Sequence, residues 1–115
     1  MKKLIDDIIA FRNARNWQPF HTPENLAKSI AIESAELLEH FQWEHVEPNI
    51  EGVKEELADV LIYCLLLAEN YAFDIESIIA EKLAKNEKKY PVKAAYGNAK
   101  KYTELRKDKD NGNNR

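Results

Sequence analysis

Glycine and proline are scarce, with three and four in 115 residues, against an abundance of Leu, Ile, Ala, Glu and Lys. So few chain-reversing residues exclude a turn-rich β architecture and favour helices, so an all-α, single-domain fold is expected. Cysteine is limited to Cys64, which excludes an intrachain disulfide. It lies in the apolar run VLIYCLLLA, where it should pack as a small hydrophobe in a reducing, cytoplasmic setting. No apolar run is long enough to cross a bilayer. The opening MKKLIDDIIAF is interrupted by acids and makes a poor signal peptide, so a soluble protein with no membrane partner is expected. Positive charge is not in excess either. Seventeen Lys and Arg against twenty Asp and Glu leave a formal net charge of -3, which gives no general reason to bind polymeric nucleic acid.

What is present is helical periodicity. Leu4, Ile5, Ile8, Phe11 and Arg15 recur at helical spacing in a first helix that stops near Trp17-Gln18-Pro19. Thr22 before Pro23 reads as a hydroxyl cap followed by proline in the first turn, and starts a second helix that should run to about Trp43. EHVEPNIEG, with Pro48 and Gly52, reads as a polar connection to a third helix over roughly Val53 to Tyr71. Residues 60–68 of that helix are apolar on nearly every side, so it should be buried centrally or covered by a second subunit. Asp74 can cap a fourth helix, IESIIAEKLAKNEKKY, which Pro91 should end. The expectation is a four-helix bundle over residues 1–106 with a flexible, disordered tail over 107–115, since KDKDNGNNR has nothing apolar to bury.

Carboxylates interrupt these apolar faces in a pattern. Glu33 and Glu36 are three apart on the second helix, bordering the Ile30/Leu37/Phe41 stripe, and Glu56 and Asp59 repeat the spacing on the third, with Tyr63 on their face. A short connection favours an antiparallel hairpin, in which the two pairs would converge. Four facing carboxylates need compensation, and all-oxygen ligation suits a hard divalent ion such as Mg²⁺, which commonly completes its shell with substrate phosphate. The plainer reading is four solvated helix-face acids. On the fourth helix Lys82, Asn86 and Lys89 form a row that continues the direction of Ile75, Ile78 and Ile79, so it should point inward and suits phosphate; salt bridging or snorkelling would explain it equally. Trp17 and His21 in the first loop, Trp43 beyond the Glu36 flank of the second helix, and Tyr63 offer flat rings for a nucleobase or for ordinary packing. Neither His21 nor His40 has a partner at zinc spacing.

The stretches FRNARNWQPFHTPENLAKSIAIESAELLEHFQW, EELADVLIYCLLLAENYAFDIESIIAEKLAKNEKKYPV and KYTEL resemble the MazG-like all-α nucleoside triphosphate pyrophosphohydrolases, specifically their dCTP pyrophosphatase branch. The resemblance covers nearly the whole chain except its last several residues. It implies that Glu33, Glu36, Glu56 and Asp59 hold Mg²⁺, with Mn²⁺ able to substitute. It implies nucleoside contacts from Trp17, Phe20 and His21, which match W-x-x-F-H, with Trp43 and Tyr63 also at contact positions. It implies phosphate contacts from Lys82, Asn86, Lys89 and Tyr90, in some relatives made across a subunit interface. The implied reaction is hydrolysis of a nucleoside triphosphate, dCTP or modified dCTP foremost, to the monophosphate and pyrophosphate, serving nucleotide-pool house-cleaning. Glu36 is the residue assigned as general base, and a homodimer or a tetramer of two dimers is the implied assembly. Two departures stand out. Ile8 replaces a pocket histidine of the vertebrate-type dCTP enzymes, which loosens the expected cytosine selectivity, and EHVEPNIEG is shorter than their connection. A broader dNTP or dUTP pyrophosphatase, an inactive nucleotide-binding module and a purely structural helical dimerisation domain are the other readings.

Overall fold

A computed structural model describes residues 1–44 and 46–99. The KYTEL stretch, the expected domain end at residue 106 and the expected tail lie outside the described residues. Those described are all helical, without a strand: α1 Lys2–Ala14, a 3₁₀ turn Gln18–Phe20, α2 Pro23–Glu39, α3 Ile50–Asn70, α4 Ile75–Lys89 and a short α5 Val92–Ala95. The described residues divide into two compact units, one up to Asp74 and one from Ile75 onward.

In the first unit α2 and α3 form an antiparallel hairpin. At one end His40, just past α2, touches Glu56 in the second turn of α3; at the other, Asn70 at the end of α3 donates to the carbonyl of His21, just before α2. The expected cap of α2 is present, with Thr22 Oγ1 accepting from the Asn25 N–H at 3.2 Å and Pro23 in the first turn. Its expected extension to Trp43 is corrected. The helix ends at Glu39, and His40, Phe41 and Gln42 each donate three residues back in tightening turns. Trp43 therefore stands off the helix, and Phe41 does not extend its stripe. Helix α3 begins earlier than expected, because the Asn49 side chain caps the Gly52 N–H at 3.2 Å and so draws Gly52 into the first turn.

Both α1 and α3 end in a left-handed residue bracketed by paired hydrogen bonds. After α3, Ala72 (φ 56°) donates to the Glu69 carbonyl and Phe73 to that of Ala68. Among the described residues the fully packed apolar side chains are few: Leu26, Leu66 and Ala68. Leu57 and Leu61 on α3 remain about half exposed in the single chain, at 47% and 53%, so that part of α3 is not covered by its own chain. Cys64 is a free thiol whose pKa is raised by burial. No described helix is long and apolar enough to cross a membrane.

Candidate active site

The end of α1 builds one wall of a cleft. Asn16, at φ 51°, takes the left-handed conformation that asparagine tolerates, donating to the Asn13 carbonyl while the Trp17 N–H donates to that of Arg12. This reversal folds Trp17 back against Phe11, edge to face at 5.8 Å. From there rings continue inward: Trp17 to His21 at 6.2 Å and His21 to Tyr63 at 6.3 Å. They line a cleft of about 350 Å³ with Asp7, Ile8, Phe11 and Arg12 of α1 and Asp59, Ile62 and Leu66 of α3. An apolar, aromatic-walled cavity of this size suits a small planar ligand.

Two polar features fix this wall. Arg12 is almost fully buried, yet its Nη1 donates to Glu69 Oε2 at 2.7 Å, tying the end of α1 to the end of α3. His21 has a lowered pKa because burial and then the Arg12 charge disfavour its cation, so it is neutral at pH 7. Its Nδ1 is shielded from solvent and has no hydrogen-bond partner among the described residues.

The acidic pairs adjoin the same cleft. Glu33 is pushed up to about 7, first by burial, then by a hydrogen bond and charge from Glu36, then by the charges of Asp59 and Glu56. Each of the other three acids therefore acts on Glu33, as convergence of the two pairs requires. Glu33 Oε2 is itself buried and unpartnered. Tyr63 joins the two regions, since its ring faces His21 while burial and the carboxylates of Glu33, Asp59 and Glu36 raise its pKa. Asp59 borders both as well. Glu56 is held to one side: His40 Nε2 lies 2.6 Å from its Oε2. Among the described residues no three His, Cys, Asp or Glu side chains already stand as a preassembled metal site. An all-oxygen acid set with a buried, unsatisfied carboxylate oxygen nevertheless fits a hard divalent cation better than it fits water.

Not every expected residue reaches the cleft. Phe20 is 68% exposed and Trp43 69% exposed, and neither lines it. On α4, described by itself, Lys82 and Lys89 stand close enough that Lys89 is the largest cause of the lowered pKa of Lys82. Asn86 and Lys89 are half-buried while Lys82 is exposed, and Tyr90 follows the helix end. Sequence reasoning passed over Arg12, Asp7 and Glu69. The signal for Arg12 was available, since it falls on the Ile5/Ile8 stripe of α1, where a charge needs a partner.

Comparison with known proteins places this arrangement. Residues 28–105 match the MazG-like family. The chain is 38% identical over 104 residues to mouse dCTP pyrophosphatase 1, covering 83% of this chain and 61% of that protein, with the same figures for the human protein. It thus spans about three-fifths of the length of these curated relatives. A crystal structure of a pyrophosphatase from Archaeoglobus fulgidus superposes with a TM-score of 0.71 at 44% identity, over 79% of this chain and 92% of that one. With more than half of its residues matched and a solved relative nearly covered end to end, the chain belongs to the MazG-like family.

Proposed function

We propose that this protein is a divalent-metal-dependent nucleoside triphosphate pyrophosphohydrolase. It converts a deoxynucleoside triphosphate, with dCTP or modified dCTP favoured, to the monophosphate and pyrophosphate in nucleotide-pool house-cleaning. The observation that carries this reading is the junction at Asp59 and Tyr63, where an aromatic cleft meets four acids. A base in the cleft leaves its phosphates to extend toward those acids. The names of the mammalian relatives support the substrate, and that of the archaeal structure supports the reaction class.

Glu33, Glu36, Glu56 and Asp59 would hold Mg²⁺, or Mn²⁺ in its place. When bound, the ion supplies Lewis acidity toward phosphoryl oxygen and lowers the pKa of water. The chain's own residues do the rest. Trp17, His21 and Tyr63 stack on and orient the nucleoside. Glu36 removes a proton from the water that adds to the α-phosphorus as the bond to the bridging oxygen breaks. Lys82 and Lys89 neutralise charge on the departing pyrophosphate, and Asn86 and Tyr90 donate hydrogen bonds to it. The protein works in the cytoplasm as a homodimer or a tetramer of dimers, which would cover Leu57 and Leu61 of α3.

One observation favours a broader dNTP or dUTP pyrophosphatase. Ile8 lines the cleft with an apolar surface, offering no hydrogen bond by which to tell one base from another. The test is pyrophosphate release from the four common dNTPs, dUTP and 5-methyl-dCTP, with and without Mg²⁺, for wild type and Glu36→Gln. Metal-dependent release favouring cytosine nucleotides and lost in the variant is expected. Flat selectivity would give the broader reading, release of orthophosphate would overturn the reaction, and binding without turnover would leave a nucleotide-binding module. Gel filtration showing an active monomer would remove the oligomer.

A further inference from the structure

We infer that His40 is a positioning residue that fixes the orientation of Glu56 by a hydrogen bond, and that Gly52 is glycine so that the His40 ring can reach it. The inference rests on the reading of Glu56 as a metal-holding carboxylate. His40 Nε2 lies 2.6 Å from Glu56 Oε2, and an ionised carboxylate offers only acceptors, so the ring donates its Nε2 proton. Both side chains are about four-fifths shielded, at 23% and 21% exposed, which sets this pair apart from the solvent-exposed ion pairs Lys3–Asp7 and Lys28–Glu24.

The backbone is shaped around the contact. A Cβ built on Gly52 would stand 2.3 Å from His40 Cε1 and 2.9 Å from Nε2. Those atoms belong to a rigid ring, so the ring itself would have to move away. Gly52 lies in the first turn of α3, where glycine is a poor helix former and alanine the best. Its local cost is explained by the space it leaves. His40 also stands where α2 stops short, so the helix end that sequence periodicity misplaces is the end that delivers the ring. One oxygen of Glu56 is thereby committed to His40 and the other is left for the ion. Carboxylates that bind metals are commonly held in this way by a second hydrogen bond, and losing it weakens metal binding roughly 10–100-fold.

The test measures Mn²⁺ affinity of the full-length protein by calorimetry, alongside metal-free melting and the Mg²⁺ dependence of kcat and KM. The variants are His40→Leu, His40→Gln, Gly52→Ala and, as reference, Glu33→Gln. Mn²⁺ affinity should fall about tenfold or more in His40→Leu and Gly52→Ala. It should recover in His40→Gln, whose amide nitrogen donates from nearly the position of Nε2. Gly52→Ala separates positioning from folding, because it improves helix propensity while displacing the ring; weakened Mn²⁺ binding with an unchanged or raised melting temperature supports the inference. Should His40→Leu fail to fold, Gly52→Ala decides alone. Wild-type Mn²⁺ affinity in His40→Leu or Gly52→Ala would overturn the positioning role while leaving the metal reading intact. A wild type that binds no Mn²⁺ more tightly than Glu33→Gln does would overturn both.

Discussion

Arg12 Nη1 and Glu69 Oε2 lie 2.7 Å apart, joining the last turn of α1 to the last turn of α3 beside the aromatic cleft. The Arg12 side chain is only 5% exposed, so its charge depends on this partner. Glu69→Ala should destabilise the protein by about 2–3 kcal/mol, somewhat less than loss of a fully buried pair because Glu69 is itself a third exposed. Urea denaturation measures it. A change below about 0.5 kcal/mol would show that water takes over the guanidinium, and would remove the pair as the tie between the helices.

The raised pKa of Glu33 makes stability depend on pH. Its folded value of about 7 lies above the ordinary 4.5, so the native state holds the proton more tightly than the unfolded chain. The metal-free protein therefore loses stability on this account as pH rises from about 4.5 through about 7. His21, with its pKa lowered, acts in the opposite sense below 6.5. The Glu33 contribution is thus the difference between wild type and Glu33→Gln, followed by urea midpoints from pH 5 to 8. Glu33→Gln should gain on wild type as pH rises, and should lose turnover. Parallel midpoints across the range would mean that the four acids do not converge.

Trp17→Ala removes the outer ring of the cleft. Stacking on an aromatic side chain contributes roughly 1–3 kcal/mol per base, so KM should rise by about tenfold or more with kcat changed little. Steady-state kinetics with the preferred nucleotide decides it. A fall in kcat at constant KM would place the ring with the reacting phosphates instead of the base.

Ala72, at φ 56°, holds a left-handed conformation that costs an L-residue roughly 1–2 kcal/mol. Ala72→Gly should raise stability by about 0.5–1 kcal/mol, because part of the relief is lost to the greater freedom of glycine in the unfolded chain. An unchanged or lower melting temperature would show that the alanine methyl contributes packing that outweighs the strain.

How far sequence alone leads differs from one element to the next. The Thr22-Pro23 start of α2 and the paired acids were legible, because capping and three-residue spacing are local codes. The end of α2 was not. LEHFQW keeps an apolar period through Phe41, and what lies at the helix end is a tertiary contact, the His40 ring against Gly52 and Glu56. Gly52 misled for a local reason, since a glycine shortly after Pro48 reads as loop unless the Asn49 cap is recognised. The apolar stripe of α1 marked Arg12 as a charge in need of a partner, but Glu69 lies 57 residues away, a distance that no window of periodicity spans. Trp17 and His21 were marked as candidate rings, but only the left-handed turn at Asn16 shows how Trp17 comes to stand between Phe11 and His21, with Tyr63 beyond.

That turn has a consequence for how the protein would fail. The turn is closed by backbone hydrogen bonds from Trp17 to Arg12 and from Asn16 to Asn13, so the aromatic wall is an extension of the α1 terminus. Helix ends fray first, and what holds this one is the Arg12–Glu69 pair, while the α2–α3 hairpin rests on Leu26 and Leu66. Once that pair opens on warming, the binding surface goes with it while the helical hairpin can persist, and a bound nucleotide would brace the end of α1.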